Sequence, residues 1–156
     1  LFGEVHTQSD RFVDGLRDAI RAGGATLLNA SVGVVHEEDA VLTYAPRDMF
    51  AIVLYVNQTV DAPGHARMRR LTGELIDLAA RHGGTFFLPY QLHYSAEQLA
   101  RAYPRIGDFF AAKRRWDPDG LFTNTSHDRY APALGGADRR GRQARAELPA
   151  GLTALM

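Results

Sequence analysis

AIRAGGATLLNA (residues 19–30) and AARHGGTFFLPY (residues 79–90) decide how this chain folds. Each runs from an apolar-periodic stretch through a Gly-Gly pair into a run of strand-forming residues. Before Gly23-Gly24, Phe12, Val13, Leu16, Ala19 and Ile20 recur at helical spacing, with Arg and Asp on the other face, and Ser9 or Asp10 stands where an N-cap belongs. Before Gly83-Gly84, Met68, Leu71, Leu75, Leu78 and Ala79 do the same, and Pro63 marks the helix start. Glycine just past a helix supplies the left-handed residue that ends it without a Cβ clash. Strand-like runs follow at 26–35 and 85–92, and others precede the helices at 1–7 (LFGEVHT) and 50–57 (FAIVLYVN).

The order strand–helix–Gly-Gly–strand therefore occurs twice, joined by a connector at 37–48. A helix linking two strands of one sheet covers one face of it through a right-handed crossover. Two such units side by side predict an α+β fold over residues 1–94: a split βαβ, ferredoxin-like antiparallel sheet with two helices on one face. An unrelated α+β domain is the alternative. Alternation places Glu4, His6 and Gln8 together on the first strand, and sets Asn29, Ser31 and Gly33 opposite Leu28, Ala30, Val32 and Val34 on the second. The helices are expected to cover the apolar face, leaving the polar one to solvent, a ligand or a second domain.

Residues 95–130 change character and are expected to form a helical segment. Ser95 caps a short helix (SAEQLARAY) that Pro104 stops. In the next helix Ile106, Phe109, Phe110 and Trp116 lie near one face, and Lys113, Arg114 and Arg115 sit near the C-terminal end, where cations suit the helix dipole. Asp117-Pro118-Asp119-Gly120 signals a turn. Residues 131–156, rich in Arg, Ala and Gly without periodicity, read as a weakly ordered tail whose last residues, 148–156, are apolar enough to dock.

Of the 156 residues, 46% are hydrophobic and 23% charged, an ordinary globular balance at a length that supports a core. Lys plus Arg (18) equals Asp plus Glu (18), so there is no electrostatic case for a nucleic-acid partner. The absence of cysteine excludes disulfides, thiolate metal sites and thiol nucleophiles. No apolar run nears the ~18 residues of a membrane span, and no signal peptide is visible. A cytoplasmic location is expected, with peripheral membrane association left open. The chain opens on Leu1, inside a strand-like run, which leads us to expect a fragment of a longer protein.

His6, His36, His65, His82, His93 and His127 are scattered, without HxxxH or HxH spacing or an acidic ligand at a useful offset, so no metal site is expected. Nucleophile-elbow, P-loop and GxGxxG motifs are absent. Residues 86–94 (FFLPYQLHY) are different. Pro89 confines an aromatic strand to an edge, an end or a bulge, and Tyr90, Gln91, His93 and Tyr94 then crowd together. Such groups suit a site wall; they also suit a half-buried edge strand.

This segment, with AYPRIGDFFAAKRRWDPDGLFTN (102–124), resembles the C-terminal end of FAD-linked oxidases of the vanillyl-alcohol oxidase type, nearest the aldonolactone and alditol oxidases. In that family a Tyr-Pro, a short helix, a Lys or Arg pair and Asp-Pro-x-x-x-Phe-x-Asn close the chain. Weaker similarity extends back to Leu1. The resemblance implies FAD as cofactor, oxidation of an alcohol-type carbon (a sugar lactone or polyol among the candidates) by hydride transfer to flavin N5, and an N-terminal FAD-binding domain as partner. It also implies that the strand after the second helix enters the active site beside the isoalloxazine ring. Pro89-Tyr90-Gln91-Leu92-His93 stands where the family often has Pro-His-Trp-x-Lys or Tyr-x-x-Lys, so His93 takes the place of Lys and Tyr90 that of His or Tyr.

By that resemblance His93 and Tyr90 are catalytic, His93 and Asn124 contact the cofactor, and Gln91 and Tyr90 contact substrate. Hydride transfer leaves negative charge around N1 and C2=O, which a protonated His93, or a neutral one donating a hydrogen bond, stabilises. Strict alternation puts Tyr90 and His93 on opposite faces, so their convergence requires a bend at Pro89. Asn124 reads equally as a turn residue after Asp-Pro. Two polar anchors of the sugar-oxidising members are replaced: Ser31-Val32-Gly33 stands for Glu-x-Arg, and AIVLYVN (51–57) lacks a strand His. A less polar alcohol therefore also fits. The rival readings are a free-standing ferredoxin-like module that binds a small molecule or dimerises without catalysis, and an inert remnant.

Overall fold

The computed structural model describes residues 2–5 and 9–135; His6 and the expected tail from 136 onward lie outside the described residues. The chain forms two compact units, Leu1–Arg105 and Ile106–Met156. The first holds β1 (Phe2–Val5), α1 (Ser9–Ala22), β2 (Thr26–Val35), β3 (Met49–Asn57), α2 (Ala62–Arg81) and α3 (Ala96–Ala102). Its strands run in the order β1-β3-β2, antiparallel at both junctions. That order is the split βαβ arrangement: α1 carries the chain past a gap in the sheet, and β3 returns to fill it. The fold is α+β with helices at its C-terminal end.

Helical spacing built both long helices. Phe12, Leu16 and Ile20 bury one face of α1, and Leu71, Leu75, Ile76, Leu78 and Ala79 bury one face of α2. The two helices pack against each other and both against β1. Gly15 permits the approach, since a Cβ there would meet Leu78 Cδ1 at 2.9 Å. Each Gly-Gly pair ends its helix with one left-handed residue, Gly24 (φ 61°) in the first and Gly83 (φ 70°) in the second. In the second, the Gly84 N–H reaches back to the Ala79 carbonyl at 2.7 Å. Asp61 caps α2 by accepting from the Gly64 N–H at 2.7 Å, with Pro63 in the first turn.

Two expectations are corrected. Residues 85–92 do not form a strand; only Phe86 makes a bridge. Its carbonyl accepts from the Tyr103 hydroxyl and the Thr85 hydroxyl donates to the Tyr44 carbonyl, so side chains take part in bonding that a ladder would supply, while Pro89 has no N–H to offer. Nor do the helices cover the apolar face of β2. Leu28, Val32 and Val34 remain 67%, 65% and 57% exposed, because α1 and α2 lie over β1, at the opposite edge of the sheet from β2. The first unit takes in α3 and reaches Arg105. The capping box between Ser95 and Gln98 starts α3, and the Gln98 amide then donates to the Gly73 carbonyl of α2 at 3.1 Å, beside an Arg101–Asp77 ion pair.

The second unit contains α4 (Ile106–Trp116) and α5 (Thr125–Leu134). α5 was not expected, and it extends into residues assigned to the tail; Asn124 starts it by accepting from the His127 N–H at 2.9 Å. Between the helices, Asp117 organises the turn. Its carboxylate accepts from the Lys113 ammonium and from the N–H groups of Leu121 (2.8 Å) and Phe122 (2.9 Å). These bonds, Lys113 first, hold its pKa down at about 2. A carboxyl depressed on folding stabilises the folded state above its unfolded value of ~3.9, and that contribution is lost as pH falls through the folded value. The unit is therefore expected to lose stability between about pH 4 and pH 2, a slope that Asp117→Asn should flatten in an acid titration followed by circular dichroism.

Candidate functional site

Phe86 is the floor of the segment singled out above. It is buried, its ring lies 4.6 Å from that of Tyr94 and 5.7 Å edge-on to that of Tyr103, and Tyr103 closes α3 directly after it. Burial above all lifts the Tyr103 phenol beyond its ordinary range, so its proton stays in place to hold the Phe86 carbonyl.

Past this anchor the chain turns at residues 88–90, as Pro89 suggested, and turns again where the His93 N–H donates to the Gln91 carbonyl at 2.8 Å. Tyr90, Gln91 and His93 thus sit on one short, doubly bent segment. Tyr90 is 57% exposed, Gln91 is exposed and His93 is half-buried.

Sequence reasoning left out Tyr44, which lies in the stretch taken as a connector. Its N–H donates to the Glu38 carboxylate and its carbonyl accepts from Thr85 at 2.6 Å. Its ring meets Phe87 edge-on at 5.3 Å, and Phe87 meets Tyr90 edge-on at 5.5 Å, so three aromatic rings run in a row from the 36–48 loop to the bent segment. The Tyr44 hydroxyl is buried without a hydrogen-bond partner among the described residues. Burial, then the Glu38 carboxylate and Tyr90, push its pKa up to about 12. It is a neutral phenol with a proton to donate at any ordinary pH. A lone Tyr in a polar loop gives no sequence signal of this; only the approach of residues 85–90 creates it.

Asn124, the fourth sequence candidate, belongs to the second unit, where its side-chain oxygen caps α5. That is a helix-capping role, and it leaves the side-chain NH2 for any further contact. The remaining histidines have structural settings. His36 lies beside Asp48 at 3.3 Å on the surface, and His127 sits in α5 with its ring 5.9 Å from that of Phe110. His82 closes α2 with its ring 5.6 Å edge-on to Phe12, and His65 lies in the first turn of α2. No three His, Cys, Asp or Glu side chains converge as a metal site among the described residues. Nor is any helix among them long and apolar enough to cross a membrane.

No protein-family model and no curated protein sequence matches this chain. The chemistry must be read from the residues alone. The first unit has an open groove of about 510 Å³ between the 38–46 loop, the end of α2 and the end of α3, and a cleft of about 170 Å³ beside the start of α2. Neither is lined by Tyr90, Gln91 or His93. The bent segment instead carries a phenol ring, an amide and an imidazole at or near its surface. Such a surface is open and encloses nothing.

Proposed function

We propose that this chain is the substrate-capping part of an FAD-dependent oxidoreductase that oxidises an alcohol-type carbon, with the FAD carried on a separate FAD-binding domain. The observation that carries this reading is shared by both segments on which the family resemblance rests. Each ends in a hydrogen-bonded turn that holds large apolar groups out in solvent: Tyr90 in one, and Trp116, Leu121 and Phe122 (80%, 77% and 78% exposed) around the other. A turn built to hold aromatic rings away from their own core suits an unoccupied contact surface.

The residues of the bent segment fit a flavin edge. FAD, when bound, supplies the hydride acceptor at N5. His93 would donate a hydrogen bond towards the negative charge that reduction leaves on the ring, Tyr90 and Gln91 would contact the substrate, and Asn124 would offer its amide group to the cofactor. The neutral Tyr44 phenol, joined to Tyr90 through Phe87, stiffens this wall without adding charge. The loss of the Glu-x-Arg pattern at residues 31–33 favours an alcohol less polar than a sugar lactone or polyol.

In the intact flavoprotein, His93→Ala is expected to slow anaerobic flavin reduction by an alcohol substrate about 100-fold, the usual cost of deleting one preorganised donor, while its melting temperature stays put. Unchanged reduction removes His93 from the mechanism. The 156-residue chain by itself should retain little FAD; a stoichiometric yellow complex would overturn the division of labour between cap and FAD domain.

A further inference from the structure

We propose that the outer edge of β2 is a self-association surface, on which two copies of this chain pair their β2 strands antiparallel about a twofold axis at Val32. This pairing does not depend on the flavin reading.

Among the described residues β2 is an end strand of the sheet, ten residues long against the five or six of an ordinary strand, and nine of its ten residues are exposed. An edge strand displays unpaired N–H and C=O groups, and proteins blunt such edges with charge, proline, shortness or a bulge. Residues 26–35 (TLLNASVGVV) contain no charged residue and no proline. The one bulge lies between Leu27 and Asn29, and from Asn29 to Val35 the strand pairs residue for residue with β3. Its outer edge is therefore regular over the same stretch, with Val32 at the centre.

The sequence read outward from Val32 is compatible with its own reversal. The cross-strand pairs would be Val32 with Val32, Ser31 with Gly33, Ala30 with Val34 and Asn29 with Val35: small or β-branched partners except Asn29, with no charge opposed to its like. Ala30, Val32 and Val34 share a face, so the exposed valines of both copies would join in one apolar row.

Charge at the two ends sets the direction. Arg21, in the last turn of α1, precedes the entry of β2, and Glu37, Glu38 and Asp39 follow its exit. Antiparallel pairing lays the acidic exit of each strand beside the basic entry of the other, whereas parallel pairing would lay acid beside acid. The interface is isologous and closes at two copies.

The chain has no cysteine, so a single introduced thiol reports the register. Directly opposed residues of an antiparallel pair have Cα atoms about 4.5–5.5 Å apart, within disulfide reach. Val32→Cys should oxidise to a covalent dimer. Ala30→Cys or Val34→Cys alone should stay uncrosslinked, and a mixture of those two variants should crosslink. Val32→Lys, at an exposed position, should keep the circular dichroism spectrum and weaken dimerisation in sedimentation experiments by about tenfold or more, because two lysines meet on the axis. A wild-type chain that sediments as a monomer at its solubility limit overturns the proposal. So does a dimer that Val32→Lys leaves intact and Val32→Cys does not crosslink, since another surface would then hold it.

Discussion

Gly64→Ala is expected to destabilise the first unit by about 3 kcal/mol, the upper part of the range for overpacking, and to lower its melting temperature by roughly 12–20 °C. Gly64 is buried in the first turn of α2, where the N–H it gives to Asp61 closes the cap. The preceding loop curls back so closely that a Cβ on residue 64 would overlap the Thr59 carbonyl and hydroxyl, and would stand 2.8 Å from Asp61 Oδ1. Two of these obstacles belong to the cap itself: the Thr59 hydroxyl donates to Asp61 at 2.7 Å, and the same two bonds, Thr59 first, hold the Asp61 carboxyl below its ordinary range. The methyl cannot be accommodated by turning a flexible side-chain end, so the loop must move and the cap opens. Gly73→Ala on the same helix should have the opposite sign. A Cβ there meets only Gln98 Nε2 at 3.9 Å, and replacing a mid-helix glycine by alanine stabilises by roughly 0.5–1 kcal/mol. Thermal melts of the two variants side by side check both values.

That contrast marks how far residue order reaches into this fold. Pro63, the Gly-Gly pairs, the Ser95 cap and the apolar spacing of α1, α2 and α4 act within a few residues of themselves, and all were legible. The strands β1, β2 and β3 were legible too, because β-branched runs between those signals leave few alternatives. What escaped depends on groups distant in sequence. Residues 85–92 have strand composition, yet Tyr103 and Tyr44 engage the chain there, and neither partner can be inferred from the segment itself. The alternation of β2 correctly sorts its residues between two faces but says nothing of which face is covered, and the helices lie over β1. For the candidate site, the bend after Pro89 was legible from the proline ring alone, whereas the cap that Asn124 supplies was not, because α5 itself was not expected. Tyr44 was not, since its buried hydroxyl exists only where two loops meet.

Phe86→Ala should cost about 3–5 kcal/mol, the range for emptying a buried aromatic site, whereas Tyr90→Ala should cost under about 1 kcal/mol. The two residues are four positions apart and both are aromatic, but their surroundings differ. Phe86 is 4% exposed and packed against Tyr94 and Tyr103, and its loss leaves a void under the bent segment beside the carbonyl that the Tyr103 hydroxyl holds. Tyr90 loses one edge-on contact with Phe87 and gives up surface already in water. Urea titrations followed by tryptophan-independent circular dichroism separate the two. The comparison bears on function as well as on stability. A large exposed aromatic that contributes little to its own fold has its use elsewhere, which is what a substrate or cofactor contact requires. If Tyr90→Ala instead unfolds the chain as readily as Phe86→Ala, the ring is a structural prop and Tyr90 leaves the site. If the expected gap appears, Tyr90 can be altered without unfolding the chain, and any change in the proposed substrate oxidation would then be chemistry and not collapse of the wall.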